Sequence, residues 1–199
     1  VPYLGMTAAF LDYDNDGSLD VFVANGHLDE NVEEFDPSTS YEQINQLFHN
    51  RGDGTFEETT RSSGSGMLIE RVSHGAVFGD IDNDGDVDIF ISDSASPHCT
   101  LLRNDGGNDQ NYLSLHLHGT VSNRDGIGAQ VRIVAGDLVQ TRQVRRSYGY
   151  MGSNDVRLHV GLGSQAQADS IVVRWPGGTS QTILDIAANQ QTEIVEVTQ

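Results

Sequence analysis

Apolar and polar residues alternate along this chain in short runs with the period of two that a half-buried strand shows. The alternation predicts strands over Thr7–Leu11, Leu19–Ala24, Gln46–Asn50 and Thr55–Thr60 in the first half. It predicts Tyr112–Leu117, Gln130–Val134, Val139–Val144, Val156–Val160, Ser170–Trp175 and Thr182–Ile186 in the second. Glycine-rich punctuation separates these runs: Gly52-Asp53-Gly54, Asp125-Gly126-Ile127-Gly128, Gly161-Leu162-Gly163 and Pro176-Gly177-Gly178. The Gly52-Asp53-Gly54 turn before Phe56 is a strong hairpin signal, because Asp-Gly supplies the positive φ that such turns need. No apolar run approaches the roughly 18 residues of a membrane span.

An internal repeat is superimposed on this pattern. Ala8–Ala24 reads AAFLDYDNDGSLDVFVA and Ala76–Ser92 reads AVFGDIDNDGDVDIFIS, offset by 68 residues. A weaker repeat follows each copy, Leu47-Phe48-His49-Asn50 and Leu101-Leu102-Arg103-Asn104, offset by 54, so the first unit carries 14 extra residues. The insertion falls around His27–Gln43 and reads as an exposed acidic loop with one helical turn near Tyr41–Leu47. Each unit then runs strand, Asp-rich loop, strand, connection, strand, turn, strand. Four short strands per repeat predict a propeller blade, and two blades cannot close a ring that usually takes about 4 to 8. The fold expected is all-β: two blades of an incomplete β-propeller (1–110), then a small β-sandwich-like domain (111–199).

Composition sharpens that division. The net charge of −18 is confined to one side: residues 1–110 hold 22 acids against 4 Arg, and residues 111–199 hold 7 acids against 7 Arg. The shift near residue 110 marks a domain boundary. An acidic half repels phosphates and so argues against nucleic acid as a partner. Cys99 is the lone cysteine and sits in an apolar stretch, so it reads as a small core residue. The chain opens at Val1 without a signal peptide or start methionine, which reads as a processed or excised piece.

The spacing of the acids carries the chemistry. In Asp12-x-Asp14-x-Asp16-Gly17-x-x-Asp20, alternate carboxylates can curl into one cage of oxygens, which suits calcium with its 6 to 8 oxygen ligands. Gly17 permits the sharp turn, Ser18 would give its backbone carbonyl, and Asp20 closes the cage. The second loop repeats this with Asp80, Asp82, Asp84, Gly85, the carbonyl of Asp86, and Asp88. An EF-hand needs Glu at position twelve, whereas Val23 and Ile91 stand there. The bland alternative is a pair of acidic hairpin turns. Two unit charges at 4 Å repel by about 1 kcal/mol even in water, so uncompensated cages would open. Magnesium fits less well, because it prefers a stricter octahedron with retained waters.

These residues resemble the FG-GAP/VCBS repeats of integrin-α-like propellers, the loops being flanked by Phe10 and Phe78. Asn45–Phe56 (NQLFHNRGDGTF) is similar to the connector of bacterial and cartilage acidic proteins of this group. The second half resembles the ASPIC/UnbV domain at Ser122–Ala129, Arg157–Gly163 and Val173–Gly178. The resemblance implies a secreted or surface-exposed protein with a calcium-bearing propeller, engaged in adhesion or matrix interaction. It supplies neither an enzymatic activity nor a defined ligand.

Other candidates are weaker. Arg51-Gly52-Asp53 spells an integrin-recognition tripeptide, but a turn of this kind would place Gly-Asp-Gly here anyway. His116 and His118 could share a strand face and bind a transition metal; no third ligand is evident nearby, so they read as solvated or packed histidines. Arg142, Arg145 and Arg146 could recognise a carboxylate or sulfated sugar, or pair with the acidic half, and the second reading is favoured. Trp175 with Ile171 and Val173 reads as core. No Ser, His and Asp set stands out as catalytic.

The function expected is a non-enzymatic, calcium-binding adhesion or interaction module with two Ca2+ sites. Its localisation would be extracellular or at the cell surface, with the periplasm as the alternative. The partner expected is a protein or glycan of the cell surface or matrix. The competing reading is a structural subunit of a larger surface or filamentous assembly completed by other chains, because incomplete propellers expose strand edges.

Overall fold

In a computed structural model of the chain, residues 2–95, 97–106 and 109–197 are described. The fold is all-β, as the alternation predicts. The strands β1 (Gly5–Leu11), β2 (Asp20–Asn25), β3 (Gln46–Asn50) and β4 (Phe56–Glu58) form a four-stranded antiparallel meander. β5 (Ser73–Gly79), β6 (Asp88–Asp93) and β7 (Thr100–Leu102) form a second meander. The fourth strand expected in this unit is missing among the described residues. Gly106 repeats Gly52 of the β3–β4 turn, each N–H donating to the side chain of the preceding Asn, but no alternating run follows it before β8 (Asn111–His118).

The insertion differs from expectation. Its helical turn, α1, is Val32–Phe35 and not Tyr41–Leu47. Buried Gln43 explains why the latter segment is extended. Its backbone exchanges hydrogen bonds with Arg71, and its side-chain oxygen accepts from the Leu4 N–H at 2.8 Å. Cys99 is exposed, contrary to the core reading, because it only leads into β7, the outer strand of its sheet.

The two meanders stack face to face, and they do so with opposite faces of equivalent strands. In the first, Ala9, Leu11, Phe22 and Ala24 point inward, while Phe10 is 59% exposed. In the second, Ala76, Phe78, Ile89 and Ile91 point inward, while Phe90 is 41% exposed. Phe10 and Phe78 hold the same position in the repeat, as do Phe22 and Phe90. The shared core closes where Phe22 meets Phe78 edge-to-face, centroids 5.9 Å apart.

The second half is a two-layer sandwich. One layer is the antiparallel sheet β10 (Leu138–Gln143), β9 (Gln130–Ala135), β12 (Gln167–Arg174) and β13 (Ser180–Ala187). The other is β11 (Leu158–Gly163), β8 and β14 (Gln190–Val195), with β8 and β14 parallel. Alternate residues from both layers fill the core: Leu113, Leu115 and Leu117 face Val131, Ile133, Ile171 and Val173. Trp175 lies in this core, its indole N–H donating to Gln181 Oε1 at 3.0 Å. The alternation does not reveal β14, whose first four residues are polar and whose two apolar residues are adjacent, Ile194 buried and Val195 exposed.

Candidate metal centres

Each Asp-rich loop links the first two strands of its meander, and both are built on one plan. Gly17 and Gly85 have φ of +92° and +99°, the left-handed region that a side chain disfavours. The first carboxylate accepts from that glycine's N–H: Gly17 to Asp12 Oδ2 at 3.1 Å, Gly85 to Asp80 Oδ2 at 3.1 Å. The last carboxylate ties the loop to the third strand. Asp20 accepts from Tyr13 N–H at 3.2 Å and Asn50 N–H at 2.8 Å. Asp88 accepts from Ile81 and Asn104 N–H, both at 2.9 Å. The short Asn-terminated repeat seen in the sequence thus has a physical role.

Carboxylate oxygens of Asp12, Asp14 and Asp20 lie within 4.8 Å of one another, and so do those of Asp80, Asp82 and Asp88. Asp12, Asp20, Asp80 and Asp88 are buried. Asp16 forms a further such cluster with Asp14 and His49, whereas Asp84 is exposed, and their Oδ1 atoms accept from Ser18 N–H (2.6 Å) and Asp86 N–H (3.0 Å). The Asp86 side chain turns inward to Asn15 Nδ2 of the other loop at 3.4 Å, and Asn15 Nδ2 also donates to Gly85 O at 3.0 Å.

His49 belongs to the first site, and sequence reasoning missed it. Its Nδ1 is 3.2 Å from Asp14 Oδ2 and 3.3 Å from Asp20 Oδ1. Arg103 holds the equivalent place in the second unit, 3.5 Å from Asp82 Oδ2. The signal was available, since both residues precede the repeated Asn.

The loops also dock onto the sandwich. Asp12 Oδ2 accepts from Gly161 N–H at 3.1 Å, Gly163 N–H donates to Asn15 O at 2.8 Å, and Arg142 donates to Gly17 O at 3.1 Å. Arg157 holds the second loop, donating to Asp80 O at 2.8 Å and Asn83 Oδ1 at 2.7 Å. Arg142 therefore makes the contact between halves favoured from sequence. Arg145 lies over the Tyr148 ring, and Arg146 is 3.8 Å from Asp125. His159, driven down to about 4 by burial and by Arg157, is neutral and meets Asn15 Oδ1 at 2.6 Å.

Without a cation the first loop is electrostatically uncomfortable. Burial, then repulsion from Asp16, Asp20 and Asp14, pushes the Asp12 carboxyl up to about 7, with Arg142 opposing. Burial raises Asp20 to about 6 against the hydrogen bonds from Asn50 and Tyr13. Burial likewise raises Asp14 and Asp80. Asp12 Oδ1 is buried with no hydrogen-bond partner. An unsatisfied carboxylate oxygen costs free energy unless a cation or proton meets it, so the residues present fit a hard divalent ion.

The Arg51-Gly52-Asp53 turn is exposed at the β3–β4 tip, with Arg51 held by Glu57 at 2.7 Å and Asp53 accepting from Thr55.

Residues 12–91 match the family model of the FG-GAP-like repeat, and residues 119–199 match that of ASPIC and UnbV. Cartilage acidic protein 1 of Homo sapiens is 36% identical over 81 residues, which is 41% of this chain and 10% of that protein. The chain thus spans about a tenth of the length of this relative.

Proposed function

From a chain that joins an FG-GAP-like repeat to an ASPIC and UnbV region, we infer a non-enzymatic, calcium-binding interaction module that works outside the cell or at its surface. One observation carries the calcium reading: Asp12, which converges with Asp14 and Asp20, has its Oδ1 buried and without a hydrogen-bond partner. The second loop supports it by repeating the same scaffold hydrogen bonds. Two Ca2+ ions, one per loop, would offset the carboxylate repulsion and stiffen the contact with the sandwich. Extracellular sites of this kind bind at roughly 0.1 to 1 mM. The partner we propose is a protein or glycan of the cell surface or matrix, in keeping with a relative named for cartilage.

Calorimetric titration of Ca2+ into the chelator-stripped chain, with a thermal melt alongside, tests this. Two sites and a clear rise in melting temperature are expected. No heat and no shift would overturn it.

A second reading has its own support. We read each meander as a propeller blade, and the outer faces bearing Phe10 on one side and Phe90 and Leu101 on the other are exposed. A structural subunit completed by further blades or other chains would cover them.

A further inference from the structure

We propose that His116, His118 and Glu193 form a site for a divalent transition metal of the zinc class on the outer face of the β11–β8–β14 sheet. Leu115 and Leu117 of β8 point into the sandwich core and are fully buried, so the residues between and after them, His116 and His118, share the opposite face. Their ring centroids are 4.2 Å apart with the planes tilted by 50°. The parallel pairing of β14 puts Glu193 directly beside His116 and Val195 beside His118. That pairing supplies the third ligand that is absent from the neighbouring sequence.

One donor atom from each of the three residues lies within 4.8 Å of the other two. Glu193 Oε2 is 3.8 Å from His118 Nε2. Two donors on a tetrahedral zinc, each about 2.0 to 2.1 Å from the ion, stand about 3.3 to 3.4 Å apart, so a small rotation of half-exposed side chains closes the site. Two nitrogens and one carboxylate select against calcium, which takes oxygen, and toward zinc, copper or nickel. Three protein ligands leave a fourth position for water or for a donor from another molecule. Nothing in this site overlaps the aspartate loops.

The test titrates Zn2+ into the full chain with both loops saturated by calcium, and repeats it with Co2+ to read the visible absorption of a nitrogen- and oxygen-ligated ion. One equivalent should bind. His116→Ala and His118→Ala should each weaken it about tenfold or more, Glu193→Gln should weaken it less, and His49→Ala should leave it unchanged. Metal-free melts of each variant establish that they fold. Zinc binding that survives the His116/His118 double variant, or that vanishes in His49→Ala, would overturn the proposal, as would the absence of zinc binding to the wild type.

Discussion

At the scale of single residues, Asp12 and Asp20 link the protein's stability to pH and, under the proposed calcium reading, to calcium as well. Their folded values, about 7 and about 6, stand above the ordinary 3.8. The metal-free fold therefore holds protons that the unfolded chain has released. The stability linked to those protons is complete below pH about 4 and is lost as pH rises through about 6 and 7. A bound cation needs the ionised forms, so it displaces the protons and reverses the trend. Melting temperature in chelator should fall from pH 5 to pH 8, and the increment given by calcium should widen over the same range. A flat metal-free profile would show that the carboxyls do not carry protons there. Asp14→Asn separates charge from scaffold, since Asp14 makes a long 3.4 Å bond to Asp16 N–H and a 3.2 Å contact with His49 Nδ1, and among the described residues ties no strand N–H to the loop. It should abolish one calcium site and leave the metal-free melt within about 1 kcal/mol of the original. Asp20→Ala should lower both, because Asp20 also ties the loop to Asn50.

At the scale of elements, the loops dock where no local pattern could show it. The carboxylate register, the turn glycines and the hairpin at Gly52-Asp53-Gly54 were legible because each depends on residues a few positions apart. The Gly161 N–H that reaches Asp12 comes from β11, 149 residues away, and the glycine there looks like ordinary punctuation. The same holds for β14: its polar sequence hides a strand whose partner, β8, lies far upstream. Gly161 can be tested as a docking residue. A Cβ there would sit 2.6 Å from Asn15 Cα and would also run into Asp12. Gly161→Ala must push the first loop away from the sandwich, at about 1–3 kcal/mol for an overpacked contact. At about 2–4 °C per kcal/mol for a chain of this size, the loss is readable in a melt. Calcium titration should then show the Asp80–Asp88 site intact and the Asp12–Asp20 site weakened. Equal weakening of both sites would mean that the docking acts on the whole fold and not on one loop.

For the whole molecule, the reversal of faces between the two meanders has the largest consequence. A pair that packed through the same face would close on itself, as a two-fold interface does. Here the Phe22 face of one unit meets the Phe78 face of the next, a head-to-tail contact whose repetition leaves one unsatisfied face at each end. Those ends are the faces of Phe10 and of Phe90, both exposed. If other units belong there, copies of this chain should substitute for them weakly, Phe90 face to Phe10 face. Repulsion within the acidic half opposes this at low salt, so calcium and moderate salt should favour it. Sedimentation velocity should then show a mass that grows with concentration. Phe10→Glu and Phe90→Glu should each remain monomeric alone, since each spoils one end of every contact. An equimolar mixture of the two should stop at dimers, because Phe10→Glu keeps an intact Phe90 face and Phe90→Glu an intact Phe10 face. Dimers formed by one variant alone would instead mean that a face pairs with itself, and a wild type that stays monomeric throughout would rule out assembly through these ends.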